Sequence, residues 1–500
     1  MTTRQKVKRA LQNPRILIYR PFSLFTDLEV ASGILLVLGA LLALILANSP
    51  LAESFHHLLE DEIALGPLVI ESPLHFVNDA LMAIFFLVVG LEIKREFLIG
   101  ELATASQRVL PIVAALGGML VPAGIYSIVI SVSGAPAADL KGWGIPMATD
   151  IAFALGILML LGRRVPLSLK VFLTAVAIVD DLGAIVVIAV FYTNELVMSG
   201  ILIAVVSLLA LVVLNRLGAR NPIIYIFFGV ILWAGVATSG IHATIAGVML
   251  AMTIPASTRI DTSVFHKRAN ELLDQFESAG IQGKDIRTNP HQFELLLKLE
   301  SLAEEAQAPL QRLEHSLRPY IMYAIMPVFA LANAGVTIDG SMSDFFTQPV
   351  TWGIVLGLVL GKPIGILSAV YLSVRLGWGR LPNYVRWPQM IGVGFLAGIG
   401  FTMSLFITGL AFATNPHLID VAKIGILLAS LIAGVTGVLI LVGTSRIPSV
   451  VPAESDAAGE TASSNDSSDA NDSAPPFENA PQPAIEGKEQ SEQERIPTLD

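Results

Sequence analysis

Asp180 and Asp181 are adjacent acids inside the apolar run SLKVFLTAVAIVDDLGAIVVIAVFYT, Ser168 to Thr193. Between Lys170 and Glu195 they are the only charges. About 20 apolar residues wound as helix cross a bilayer's hydrocarbon core. A charge at its centre costs about 2.5–3.5 kcal/mol on insertion scales. Two neighbouring carboxylates in such a place are poor packing material, and their chemistry is to bind a cation, a proton, or each in turn. On a helix they point about 100° apart, so one can hold an ion while the other pairs with a base. Close together in low dielectric they repel, which favours protonation of at least one, and their protons come off in coupled steps.

Two further ionisable residues interrupt apolar runs. Asp150 sits beside Thr149 in PMATDIAFALGILMLLG, a short segment that starts at Pro146. Lys362 stands in LGLVLGKPIGILSAVY, followed at once by Pro363. Three acids and one base make a site that needs two positive charges from elsewhere, which protons and a small cation would supply. A proline at the start and small polar neighbours invite a break in the helix at Asp150, exposing backbone carbonyls and helix-dipole ends to an ion. The counterpart is GVGFLAGIGFTMSL, Gly392 to Leu405, whose glycines fit either unwound backbone or close helix packing. Lys362 should face the bundle interior and neutralise an acid, as a permanent strut or as a pair that responds to protonation.

The elements that must position these charges are membrane helices. The chain is 54% hydrophobic and 14% charged, with mean hydropathy +0.69; soluble domains carry about 25% charged residues. It has no cysteine, which excludes disulfides, thiolate metal sites and thiol catalysis. No cleaved signal is expected, because residues 1–20 are basic and no small-residue cleavage site follows the first apolar run. Twelve apolar segments can be drawn, near 28–48, 74–97, 109–131, 146–162, 168–193, 197–215, 222–238, 240–255, 317–337, 350–374, 388–413 and 419–443. Lys and Arg alternate between loop sets: Lys94, Arg95, Arg108, Arg163, Arg164, Arg216, Arg220, Arg375 and Arg380 fall on one side, and Glu53, Glu60, Asp61, Asp139 and Glu195 on the other. That bias predicts both termini in the cytoplasm.

The net charge of −10 belongs to the end of the chain. The residues after Val451 hold 12 acids and two bases, so the preceding 451 carry 29 of each. The expected organisation is a basic cytoplasmic N-terminus (1–20), eight spans (21–255), a long cytoplasmic insertion (256–316), four spans (317–445), and a disordered acidic tail (446–500). The insertion reads as an amphipathic helical hairpin near the membrane face, or as a solvated appendage without a part in transport.

Charges nearer the span ends have two readings. Glu92, Lys94, Arg95 and Glu96, in VVGLEIKRE, either anchor a helix end at the interface or form a proton-sensing cytoplasmic funnel. His242, in SGIHATIAG, is a buried hydrogen-bonded histidine or a sensor whose titration range suits one.

An ordered set of segments carries a family resemblance: FVNDALMAIFFLVVGLEIKRE (76–96), ATDIAFALGIL (148–158), AIVDDLGAIVVIAVFYT (177–193), SGIHATIAGV (239–248), LEHSLRPYIMYAIMPVFALANAGV (313–336), GKPIGI (361–366) and GIGFTMSLFI (398–407). Spread over about residues 20–445, the set resembles NhaA-type sodium/proton antiporters. The resemblance implies an all-α integral membrane fold, a twelve-helix bundle with inverted repeats and two discontinuous helices, the build already described for that family. It implies Asp181 as the central carboxylate that binds sodium transiently and carries protons, with Asp180 beside it and paired to Lys362 in one protonation state. It places Asp150 and Thr149 at the crossing of two unwound helices, and the Glu92 group at a cytoplasmic entrance that tunes the pH response. The implied reaction is electrogenic exchange of sodium or lithium for about two protons in a bacterial-type inner membrane by alternating access, without catalytic residues, cofactor or nucleic acid. The implied partners are small cations, the bilayer and a second copy, paired through an extracellular hairpin for which Leu65–Ile70 has strand-like residues.

Departures from the family pattern are the long insertion, Arg318 where compact members carry a histidine, and the acidic tail. An intramembrane aspartyl protease is disfavoured, since it takes its acids from separate helices to share one water, which neighbours splayed along one helix cannot do. A sodium-coupled solute carrier would need polar side chains for an organic ligand, and a channel would need a repeated filter-like segment.

Overall fold

Backbone amides inside a bilayer must be satisfied internally, and the apolar runs do this as helix. The computed structural model describes residues 28–444, apart from 66–67, 71, 194–195, 281–285, 338–341 and 383–384. The N-terminal segment 1–20, the tail 446–500 and Glu195 therefore lie outside the described residues. Helix α1 (Leu28–Ala47) is followed by a short amphipathic helix, α2 (Ala52–Glu60), and by an antiparallel hairpin of β1 (Ile63–Leu65) and β2 (Leu68–Ile70). The hairpin coincides with the strand-like Leu65–Ile70 stretch and is a local departure from an all-helical chain. Then come α3 (Pro73–Ile99) and α4 (Ala105–Ser133). A 3-10 helix (Ala137–Met147) leads through extended residues 148–150 into α5 (Ile151–Leu160), then α6 (Leu167–Phe191), α7 (Met198–Arg216), α8 (Pro222–Ala237) and α9 (Ile245–Thr253). Among the described residues eight helical runs are long and apolar enough to cross a membrane, or nine if one bent pair near the C-terminus counts as a single span. Helices α8 and α9 fall short of that length, with 16 and nine residues.

The insertion folds as a helical hairpin, as its sequence pattern suggests. Helix α10 (Thr262–Ser278) and helix α11 (Pro290–Ala306) are joined by Asn289. Its side-chain carbonyl accepts from the Gln292 amide at the start of α11, while its Nδ2 donates to the Ala279 carbonyl at 2.8 Å. That single side chain caps one helix and ties down the end of the other.

After it come α12 (Pro309–Tyr320), α13 (Met326–Asn333), α14 (Met342–Thr347), α15 (Pro349–Arg375), α16 (Trp387–Ala397), α17 (Phe401–Ala411) and α18 (Pro416–Thr444). Single π turns interrupt three of the apolar helical runs, at Val77–Leu81, Ile321–Ile325 and Gly357–Gly361. The last ends directly before Lys362. Such turns shift the helical register and recur at functional positions.

Lys362 is carried by α15, which lies against α4 almost backbone to backbone. A Cβ at Gly117 would collide with the Gly365 carbonyl oxygen, and one at Gly365 with the Gly117 carbonyl oxygen. A Cβ at Gly361 would stand 2.9 Å from Pro122 Cα. Gly365→Val therefore forces the helices apart. It should cost about 1–3 kcal/mol of overpacking, read as a lowered unfolding temperature of the purified protein.

Candidate functional site

Two non-helical segments of the chain, 148–150 and 398–400, meet. The Asp150 amide donates to the Ile399 carbonyl at 2.7 Å, and Thr149 Oγ1 lies 2.9 Å from the Ala397 carbonyl oxygen. Helices α16 and α17 bend by 42° across the second segment. The glycines left open between unwinding and close packing serve both: residues 398–400 are not helical, and a Cβ at Gly398 would sit 2.5 Å from the Leu358 carbonyl oxygen.

Asp150 is buried, at 1% exposure, and closes two helix N-termini with one carboxylate. Its Oδ1 accepts from the Phe153 amide at 3.0 Å, capping α5. Its Oδ2 accepts from the Thr402 amide at 3.1 Å and the Thr402 hydroxyl at 2.6 Å, capping α17. Each N-terminus presents unpaired amides and about half a positive charge, so a fixed negative charge is matched to both. Thr402→Val would remove the hydroxyl donor to a buried carboxylate, at about 1.5–3 kcal/mol. The expected readout is a raised half-saturating sodium concentration in everted vesicles; an unchanged value would show that the hydroxyl does not hold Asp150.

Lys362 balances the opposite pole. Its Nζ donates to the Met147 carbonyl at the C-terminal end of the 3-10 helix, and lies 2.5 Å from Asp180 Oδ2, with both side chains 1% exposed. Thr149 Oγ1 is 2.7 Å from the same Asp180 oxygen. Asp180 is thus neutralised in place, although its Oδ1 meets no hydrogen-bond partner among the described residues.

Asp181 shares the burial of its neighbour, at 2% exposure, and the unpartnered Oδ1 among the described residues, but not its ion pair with Lys362. It lines a cavity of about 330 Å³ together with Asp150 and Thr402. Along α6 the cavity follows Lys170, Thr174 and Ile178 up to Asp181, so it approaches from the N-terminal end of that helix. An oxygen-lined floor holding an unengaged carboxylate suits a hard cation, which prefers oxygen ligands, or a proton in its place.

The structure brings the five central residues Asp180, Asp181, Asp150, Thr149 and Lys362 into one cluster. Of the charges singled out near span ends, Glu92, Arg95 and Glu96 line the same cavity. Arg95 is 2.8 Å from Glu96, 3.9 Å from Glu92 and 2.5 Å from Glu314. Lys94 is absent from that lining. Its Nζ donates to the Met252 and Ile254 carbonyls, at 2.7 and 2.5 Å, at the C-terminal end of α9. His242 is also outside, with Nε2 2.6 Å from the Tyr192 carbonyl oxygen. Sequence reasoning missed Glu314 and Thr402 as site residues. For Thr402 the available signal was a hydroxyl two residues after the glycine break; Glu314, in the charged stretch LEHSLRPY, carried none.

The model for the Na+/H+ antiporter 1 family matches residues 23–441. A Na(+)/H(+) antiporter NhaA from Oleidesulfovibrio alaskensis is 49% identical over 424 residues, 84% of this chain and 93% of the relative. One from Wolinella succinogenes is 50% identical over 416 residues, covering 83% and 91%, and one from Koribacter versatilis 45% over 456 residues, covering 89% and 97%. The match spans nearly all the apolar runs, and the chain is a multi-pass membrane protein that belongs to the Na+/H+ antiporter 1 family.

Proposed function

We propose that the chain expels sodium or lithium in exchange for about two protons per ion by alternating access, and so contributes to sodium and pH homeostasis across a bacterial inner membrane. The observation that carries this reading is the asymmetry of the acid pair. Asp180 is held by Lys362 and Thr149 and is absent from the cavity lining, while Asp181 lines the cavity. Sodium displaces protons from the carboxylates, and either cargo neutralises the site. An empty, charged site cannot cross the low-dielectric barrier cheaply, so movement is coupled to occupancy. Two charges exchanged for one make the cycle sensitive to membrane voltage.

The reading extends to a twelve-helix bundle of inverted repeats in which the segments at 148–150 and 398–400 interrupt paired helices. Both termini are cytoplasmic, the insertion 256–316 lies on that face, and the β1–β2 hairpin serves a homodimer. Glu92, Arg95 and Glu96 line the cytoplasmic mouth and tune its response to pH; Lys94 acts beside them from the end of α9, and His242 acts at the opposite end of α6, against Tyr192. Names carried by the relatives above agree with sodium/proton exchange.

The test is an acid-loaded everted-vesicle assay with sodium, lithium and potassium added in turn. Sodium and lithium should each release protons from the vesicle lumen, and replacing Glu314 by Gln, which leaves Arg95 one carboxylate short, should move the pH at which release is half-maximal. No sodium-dependent release from vesicles holding the intact protein would sink the assignment.

A further inference from the structure

Asp181 is reached from one end of the bundle and shut off from the other. The cavity is walled by Glu92, Arg95, Ile321 and Met326 from α3, the turn 321–325 and α13 on one side, and by Asp150, Asp181 and Thr402 from α5, α6 and α17 on the other. Beyond Asp181 the same two walls close on each other. Phe406 of α17 packs against Phe86 of α3, ring centres 5.6 Å apart, and against Phe329 of α13, at 6.3 Å. All three rings are buried, at 3%, 1% and 0% exposure. Further along α6, Ile185 and Ile188 pack with Phe86 and Thr244 around a space with no room for water.

A polar contact completes the closure at the far end. Lys423, near the start of α18, donates from Nζ to the Gly335 carbonyl at 3.0 Å. Gly335 lies just past the C-terminus of α13, where helix carbonyls are unpaired and the dipole end is negative. Asp420 stands 3.8 Å from the same Nζ, and Glu60 adds a second acid to its surroundings. The lysine is 17% exposed, so water competes weakly for it. The Gly335 segment is itself fixed from behind: Asn48 Nδ2 donates to the Val336 carbonyl at 2.8 Å, and Phe55 of α2 packs within about 3.4 Å of where a Gly335 Cβ would stand.

We infer that Lys423 and the Phe86–Phe329–Phe406 cluster form the second gate of the transport cycle: an aromatic plug, clasped at its rim by a lysine that holds the carbonyl end of α13. The inference rests on the alternating-access reading above. In that cycle the seam now open at the cavity must close, and the seam between α13 and the α17–α18 wall must part. The plug contributes nondirectional apolar contact that can be remade. The clasp supplies one geometrically specific, charge-assisted bond just past the end of α13. Lys423 is a positioning residue here, since it touches no cargo.

The chain has no cysteine, so one introduced thiol is the only reactive one. Ile185→Cys places it on the shut side of Asp181. A charged, membrane-impermeant methanethiosulfonate should modify it slowly from the far face of vesicles of known orientation. Adding Lys423→Met should speed that reaction by about tenfold, the population shift expected when one charge-assisted hydrogen bond is lost. Access through the cavity face should not rise, and Lys423→Arg should restore the slow rate. Phe406→Ala should act in the same direction, and Lys423→Gln replaces Lys423→Met if the methionine variant does not reach the membrane. An unchanged rate, or an equal rise from both faces, would overturn the gate. Sodium-driven proton release, measured on the same vesicles without the lysine change, separates this from failure of the exchange reading: release that persists with an immobile gate keeps the exchanger and removes the clasp.

Discussion

Asp181→Asn should abolish sodium-dependent proton release in everted vesicles, down to the level of membranes lacking the protein. The amide is nearly isosteric with the acid, so packing at this 2% exposed position survives, but it can neither carry a proton nor present a formal charge to sodium. Asp180 cannot substitute. Its Oδ2 is committed to Lys362 and Thr149, and the two side chains leave the helix in different directions. Isothermal titration of the purified variant with sodium should show no binding heat where the parent protein shows it. Exchange that persists in the asparagine variant would remove Asp181 from the centre of the mechanism.

Lys362→Met should be the most destabilising single change in the cluster. Removing one partner of a buried ion pair leaves the other charge uncompensated, at about 3–5 kcal/mol. Lys362 and Asp180 are both 1% exposed, so solvent cannot make up the loss. The double variant Asp180→Leu, Lys362→Met removes both charges and should recover most of the unfolding temperature while remaining inactive. A single variant as stable as the parent would show that the pair does not hold α15 against α6, and that Asp180 is already neutral when paired.

The acids and the lysine were legible in the sequence because a charge in an apolar run is conspicuous whatever surrounds it. Asp150, Asp180, Asp181 and Lys362 could each be named, and their convergence followed from the cost of leaving any of them in lipid. Their partners were not legible. Met147, Ala397 and Ile399 act through backbone carbonyls, which every residue possesses, and the Lys362 to Met147 contact spans 215 positions. No periodicity records such a meeting. The cluster around Glu92 shows the same limit: four neighbouring charges read alike, yet the roughly 100° step between neighbours on a helix sends Lys94 to the end of α9 and leaves Arg95 facing the cavity. Span drawing worked where helices are long and stumbled where they are short. The segment drawn near 240–255 is apolar enough to stand out in the sequence, but only Ile245–Thr253 is helical, because Ser239 to Thr244 is taken up by turns.

Asp150 has a mechanical consequence. One carboxylate serves as the shared pin of two half-helices, so neither end can be tugged loose without slackening its twin. An ion arriving beside it at the cavity floor need not push on either rod; drawing the pin a fraction of an ångström loads both at once and in step.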